Sequence, residues 1–232
     1  MDSLSIISRS ILLLIVISCI SGGGAATKFT VKSNCPNPVW AAATPVGGGR
    51  QLNRGDVWEI DIPPGTPSGR VWGRTGCNFD PNGNGRCETG DCGGVLQCVN
   101  SGEKPFTIAE FTLGPAGGQD SYDVSLVDGF NLGMEFAGDS DGCNQRTLRC
   151  TADIVGQCPA QLKAGNNACK DPCTAFGRDE YCCPEGSTVP CVPTDYSKFF
   201  KERCPDAYSY PKDDTATKSC PAGTNYSVTF CP

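Results

Sequence analysis

Residues Glu110 to Gly129 read EFTLGPAGGQDSYDVSLVDG. Thr107, Ile108, Phe111 and Leu113 are strand formers on one side of this stretch. Tyr122, Val124, Leu126 and Val127 are strand formers on the other. Pro115 to Gly118 between them is turn chemistry. The stretch is therefore a β-hairpin, and it carries Glu110, Asp123 and Asp128. Strict alternation would put Asp123 and Asp128 on opposite faces, because their spacing is five. They converge only if the chain bends at Val127-Asp128-Gly129, and Asp-Gly is a bend signal. The plain alternative is three solvated surface acids.

Strand signals continue on both sides of the hairpin. Phe29 and Val31 alternate with polar residues, and Val39 to Ala43 follows Pro38. Val57 to Ile62 alternates with Trp58, Ile60 and Ile62 inward. From Arg70 a further strand begins, on which Arg70, Trp72 and Arg74 share a face. Tyr226 to Phe230 is a last short strand. The chain holds 29 Gly and 18 Pro in 232 residues, so turns are frequent and long helices are not expected. Two stretches differ. Residues 76–104 pack four cysteines and many glycines into a loop that cannot build its own core and must be stapled. Residues 143–204 carry nine cysteines with short helical cues. Asp171-Pro172 is a cap followed by Pro at a first helical position. In TDYSKFFKERC, Tyr196, Phe199, Phe200 and Cys204 follow helical spacing. The expected fold is mainly β: a sandwich of about ten strands interrupted by two disulfide-rich excursions. The expected division is core in 27–74, 105–150 and 205–232, a small disulfide loop in 75–104, and a helical part in 151–204.

The beginning of the chain reads as a secretory signal over residues 1–26. Arg9 precedes the apolar run Ile11 to Ile20, and small residues follow, with cleavage expected near Ala25 or Ala26. Such a run is too short to span a bilayer. No anchor tail or retention tetrapeptide follows Cys231, so a secreted, soluble, extracellular protein is expected. Cleavage removes one acid (Asp2) and one base (Arg9), so the 19 bases and 25 acids become 18 and 24, still −6. Loss of Cys19 from 17 cysteines leaves 16, an even number that reads as a disulfide framework. Counting alone allows roughly two million pairings.

Composition excludes several chemistries. There is no histidine, so no Ser-His-Asp triad, His base or His metal site is available. With every thiol paired there is no Cys nucleophile. Acid-base work falls to Asp, Glu, Lys and Tyr. No cofactor or metal is expected, and the acidic charge argues against nucleic acid as a partner. Asn225-Tyr226-Ser227 is a formal glycosylation sequon, and poor occupancy is expected.

The stretch GNGRCETGDCGGVLQC, Gly83 to Cys98, resembles the signature of the thaumatin-like proteins, the plant pathogenesis-related group that includes osmotin. GRVWGRTGCNF, IAEF, YDVSLVDGFN, TADIVGQCP, YSKFFKERCPDAYSYPKDD and VTFCP are similar to family blocks over essentially the whole mature chain. The CNQRTLRC spacing from Cys143 to Cys150 is longer than in several members. The resemblance implies a flattened β sandwich with a disulfide-rich helical domain and a small disulfide loop. It implies bridges Cys35 to Cys231, Cys77 to Cys87, Cys92 to Cys98 and Cys143 to Cys220. It also implies Cys150 to Cys204, Cys158 to Cys169, Cys173 to Cys182, and Cys183 to Cys191.

The family's acidic cleft maps, motif by motif, onto Arg70, Glu110, Asp123, Asp128 and Asp214. The resemblance implies a monomeric antifungal defence protein of the apoplast that binds β-1,3-glucan or another fungal cell-wall polysaccharide there. Phe106, Tyr208 or Tyr210 would stack on sugar rings if they are not core. One alternative is weak endo-β-1,3-glucanase activity with Glu110 as acid and Asp128 or Asp123 as its partner. Another is a sweet-tasting or enzyme-inhibiting member that does not use the cleft.

Overall fold

The computed structural model describes residues 25–232. The apolar run and Cys19 of the expected signal lie outside the described residues. In chain order the strands are β1 (Thr27–Ser33), β2 (Val39–Thr44), β3 (Gly48–Leu52), β4 (Val57–Ile62) and β5 (Gly69–Arg74). Next come β6 (Asn78–Phe79), β7 (Gly85–Arg86), β8 (Ile108–Thr112), β9 (Gln119–Ser125) and β10 (Met134–Gly138). The last are β11 (Thr147–Cys150), β12 (Lys163–Ala164), β13 (Ala168–Cys169), β14 (Lys218–Pro221) and β15 (Tyr226–Phe230). The α-helices are α1 (Ile154–Gln157), α2 (Pro172–Phe176), α3 (Asp179–Cys182) and α4 (Asp195–Arg203).

Two sheets form the sandwich. One has five strands in the order β11-β10-β15-β1-β4, the other six in the order β14-β9-β8-β5-β2-β3. In β1, Thr27, Phe29, Val31 and Ser33 are buried while Lys28 and Lys32 are exposed, the alternation of a half-buried strand. Aromatic side chains interlock between the sheets: Phe29 meets Phe111 at 4.4 Å between ring centroids, and Tyr122 meets Phe136 edge-on at 5.1 Å. β1 and β15 run parallel as neighbours. The Cys35–Cys231 bridge just beyond them ties the two ends of the sandwich together.

The six-stranded sheet departs from simple alternation. Val71 faces the core, yet Trp72 and Arg74 on the other face are also fully buried. The stapled loop between β5 and β8 covers them. Trp72 packs with Ala42, Phe106, Ile108 and the cysteines of the Cys92–Cys98 bridge in a second small core. The Trp72 indole N–H donates to the Gly90 carbonyl at 2.9 Å. Arg74 stitches the loop down: its guanidinium donates to the carbonyls of Trp40 (3.0 Å), Val95 (2.8 Å) and Leu96 (2.8 Å). A buried charge is tolerated only when its donors are satisfied in this way.

The helices carry their stop and start signals in sequence. The Asp171 side chain caps α2 by accepting from Thr174 N at 2.9 Å, and Gly177 ends that helix in the left-handed region. Thr194 and Ser197 form a capping box at α4, which buries Phe200 against the core. The remaining bridges join Cys77 to Cys87, Cys143 to Cys220, Cys150 to Cys204, Cys158 to Cys169, Cys173 to Cys182, and Cys183 to Cys191.

Candidate functional site

β5, β8 and β9 are adjacent in the six-stranded sheet. Their register sets Arg70 opposite Glu110 and Glu110 opposite Asp123. The three side chains therefore form one row across the outer face, where directly opposed Cβ atoms stand about 5 Å apart. One step along the strands, Trp72 and Ile108 are sealed beneath the loop. The charged row lies beyond the loop's edge and is only half-buried. It forms the floor of an open groove of about 400 Å³, with Ser68, Thr112, Ser121, Ser125 and Tyr208 in its lining.

Arg70 Nε contacts Glu110 Oε1 at 2.9 Å, and Arg70 Nη1 donates to Ser101 Oγ at 3.0 Å. Asp123 is the unusual member. Its Oδ1 is buried without a hydrogen-bond partner. Burial pushes its carboxyl up to about 7, helped by the Glu110 charge and opposed by Arg70. Burial also raises Glu110, with Arg70 opposing and Asp128 adding to the rise. The row thus offers a guanidinium donor, a carboxylate acceptor, and an acid that exchanges its proton near neutrality. This is a site for hydroxyl groups, which both donate and accept.

The other two expected residues, Asp128 and Asp214, are not in the groove's lining, although the Asp128 charge is near enough to raise Glu110. The chain does bend after β9: Gly129 has φ +92°, and a Cβ there would meet Pro105 Cβ at 2.6 Å. Asp128 at this bend is held by Lys104 Nζ at 2.6 Å, a partner that sequence reasoning missed. Asp214 is exposed at the surface. Its neighbour Asp213 is the anchored one. It accepts from Ser209 N at 3.1 Å and Ser209 Oγ at 3.0 Å, and pairs with Lys201 of α4 at 2.9 Å. That anchor sets the segment carrying Tyr208, whose backbone bonds Val124 and Leu126 beside β9. Tyr208 lines the groove, with its hydroxyl paired to Thr217 Oγ1.

Phe106 does not reach the groove. It is fully buried against Trp72, 5.8 Å between ring centroids, because the stapled loop closes over it. Tyr210 lines a separate, smaller cavity of about 70 Å³ with Lys104 and Asp171. Among the described residues no group of three or more Cys, Asp or Glu side chains is arranged to hold a metal ion.

Residues 33–232 match the family model described as the Thaumatin family. The chain belongs to the thaumatin family. It is 53% identical over 233 residues to a thaumatin-like protein of Actinidia deliciosa, covering all of both chains. It is 52% identical over 219 residues to zeamatin of Zea mays, covering 94% of this chain and 96% of that one. Among solved structures it is similar to the thaumatin-like xylanase inhibitor TLXI, at 26% identity and a TM-score of 0.51. That match covers 88% of this chain and 99% of the inhibitor.

Proposed function

We propose that this thaumatin-family protein is a secreted plant defence protein with antifungal activity, and that it binds β-1,3-glucan in the acidic groove. The observation that carries this reading is the cross-strand row of Arg70, Glu110 and Asp123, open to solvent and flanked by hydroxyls and Tyr208. Carboxylates accept from sugar hydroxyls, a protonated Asp123 donates to them, and the exposed edge of Tyr208 supplies an apolar surface. Asp128 and Asp214 extend the acidic character at the rim. The eight disulfides fit an oxidising, extracellular setting.

Binding is favoured over hydrolysis. A glycosidase of the ordinary two-carboxylate kind needs one carboxyl free to protonate the leaving oxygen. Here the residue expected to be that acid, Glu110, is held by Arg70 in an ion pair. Retention on insoluble β-1,3-glucan, measured beside sugar release from laminarin, tests the reading. The expected result is retention that falls in Glu110→Gln, with negligible sugar release by either protein. Absence of retention by the native protein would overturn it. Inhibition of a polysaccharide hydrolase is the second reading, favoured by the match to the xylanase inhibitor, which covers 99% of that chain at a TM-score of 0.51. It requires no Glu110, so Glu110→Gln would leave inhibition intact.

A further inference from the structure

A second row of side chains lies beside the charged one. Thr112 follows Glu110 by two residues on β8 and Ser121 precedes Asp123 by two on β9, so each shares the face of its charged neighbour. Ser68 stands just before β5, and all three of these line the groove. Thr112 stands directly opposite Ser121, and Ser68 N donates to Thr112 Oγ1 at 3.3 Å. Ser68 itself has φ +51°, a left-handed conformation unusual for a residue with a side chain. At the rise of a β-strand the two rows lie about 7 Å apart, close to the length of one pyranose unit.

The two rows differ in chemistry. The first carries charge and a titratable pair. The second is neutral, and each of its hydroxyls can donate and accept. Thr112 is exposed and Ser121 half-buried, so both are open to a ligand. We propose that Ser68, Thr112 and Ser121 form a second subsite, which takes the adjoining neutral glucosyl unit of the chain whose neighbour lies on the charged row. This rests on the glucan reading above. The groove then measures chain length: a monosaccharide meets only one row, whereas a disaccharide reaches both.

Calorimetric titration with glucose, laminaribiose and laminaripentaose separates the two claims. The native protein is expected to bind the biose about tenfold more tightly than glucose, the effect of one or two added hydrogen bonds. Thr112→Val with Ser121→Ala should lose most of that rise while binding glucose as before. Glu110→Gln should weaken all three sugars. Ser121→Ala alone, which deletes only one hydroxyl, should lose part of the rise and serves if the double variant folds poorly. A full rise retained in the folded hydroxyl variants would overturn the subsite and leave the glucan reading standing. No binding of any oligomer by the native protein would overturn both.

Discussion

Asp123 concentrates the chemistry of the groove. A carboxyl oxygen buried without a partner is costly, and the side chain answers by holding a proton up to about 7. In the unfolded chain an Asp titrates near 3.9. The folded state therefore binds the extra proton between about pH 4 and pH 7, and the stability this contributes is full below about 4 and lost as pH rises through about 7. Glu110 shifts in the same direction, so the two titrate as a coupled pair. Asp213 is shifted the other way: burial is outweighed by the Lys201 and Ser209 bonds, so its contribution is lost only as pH falls below the usual carboxylate range. The melting temperature of the native protein should decline from pH 4 to pH 7, and Asp123→Asn should flatten that decline. Equal slopes in the two proteins would remove the buried proton from the account. Arg70 tests whether the row exists to hold the fold. Its ion pair with Glu110 is about one-third exposed on both sides, so Arg70→Ala should cost about 1 kcal/mol or less. A loss of several kcal/mol in chemical denaturation would mark the row as a structural network.

Strands decide which residues meet, and here part of the site was legible in the sequence. The hairpin around Pro115 to Gly118 places Glu110 and Asp123 together once its two strands pair. The Asp-Gly bend could be read from its residues alone, as could the Asp171-Pro172 helix start and the helical spacing from Tyr196 to Cys204. The alternation that groups Arg70, Trp72 and Arg74 on one face was also visible. It could not show that the first floors a groove while the other two are buried, because that depends on where residues 76–104 fold back. Nor could local pattern tie Lys104 to Asp128, or choose Asp213 over Asp214 as the anchored acid. Both depend on contacts between distant segments. The disulfide partners were not available from spacing and came only from the family resemblance. Arg74 is the element-scale test of the covering loop. Removing it strands several buried carbonyls, so Arg74→Ala should cost about 3 to 5 kcal/mol in equilibrium denaturation. A cost below about 1 kcal/mol would show that the loop holds without it.

Across the whole molecule, bridges substitute for core in the segments that cannot build one. The Cys35–Cys231 bridge closes a separation of 196 residues, and the Cys183–Cys191 bridge only 8. In the chain-entropy account, loss of the first should cost about 5 kcal/mol and loss of the second about 2 to 3. Paired Cys→Ala variants compared by denaturant midpoint check this ranking, and a reversed order would contradict it. The frame fixes the outer face of the six-stranded sheet, so the charged row is preorganised for its ligand. The central claim is that this row binds β-1,3-glucan, and the most direct measurement is retention on the insoluble polymer. Native protein is compared with a Glu110→Gln, Asp123→Asn double variant that retains its cooperative thermal unfolding. Retention of the native protein with at least tenfold weaker retention of the variant is the predicted result. Equal retention of the two would contradict it.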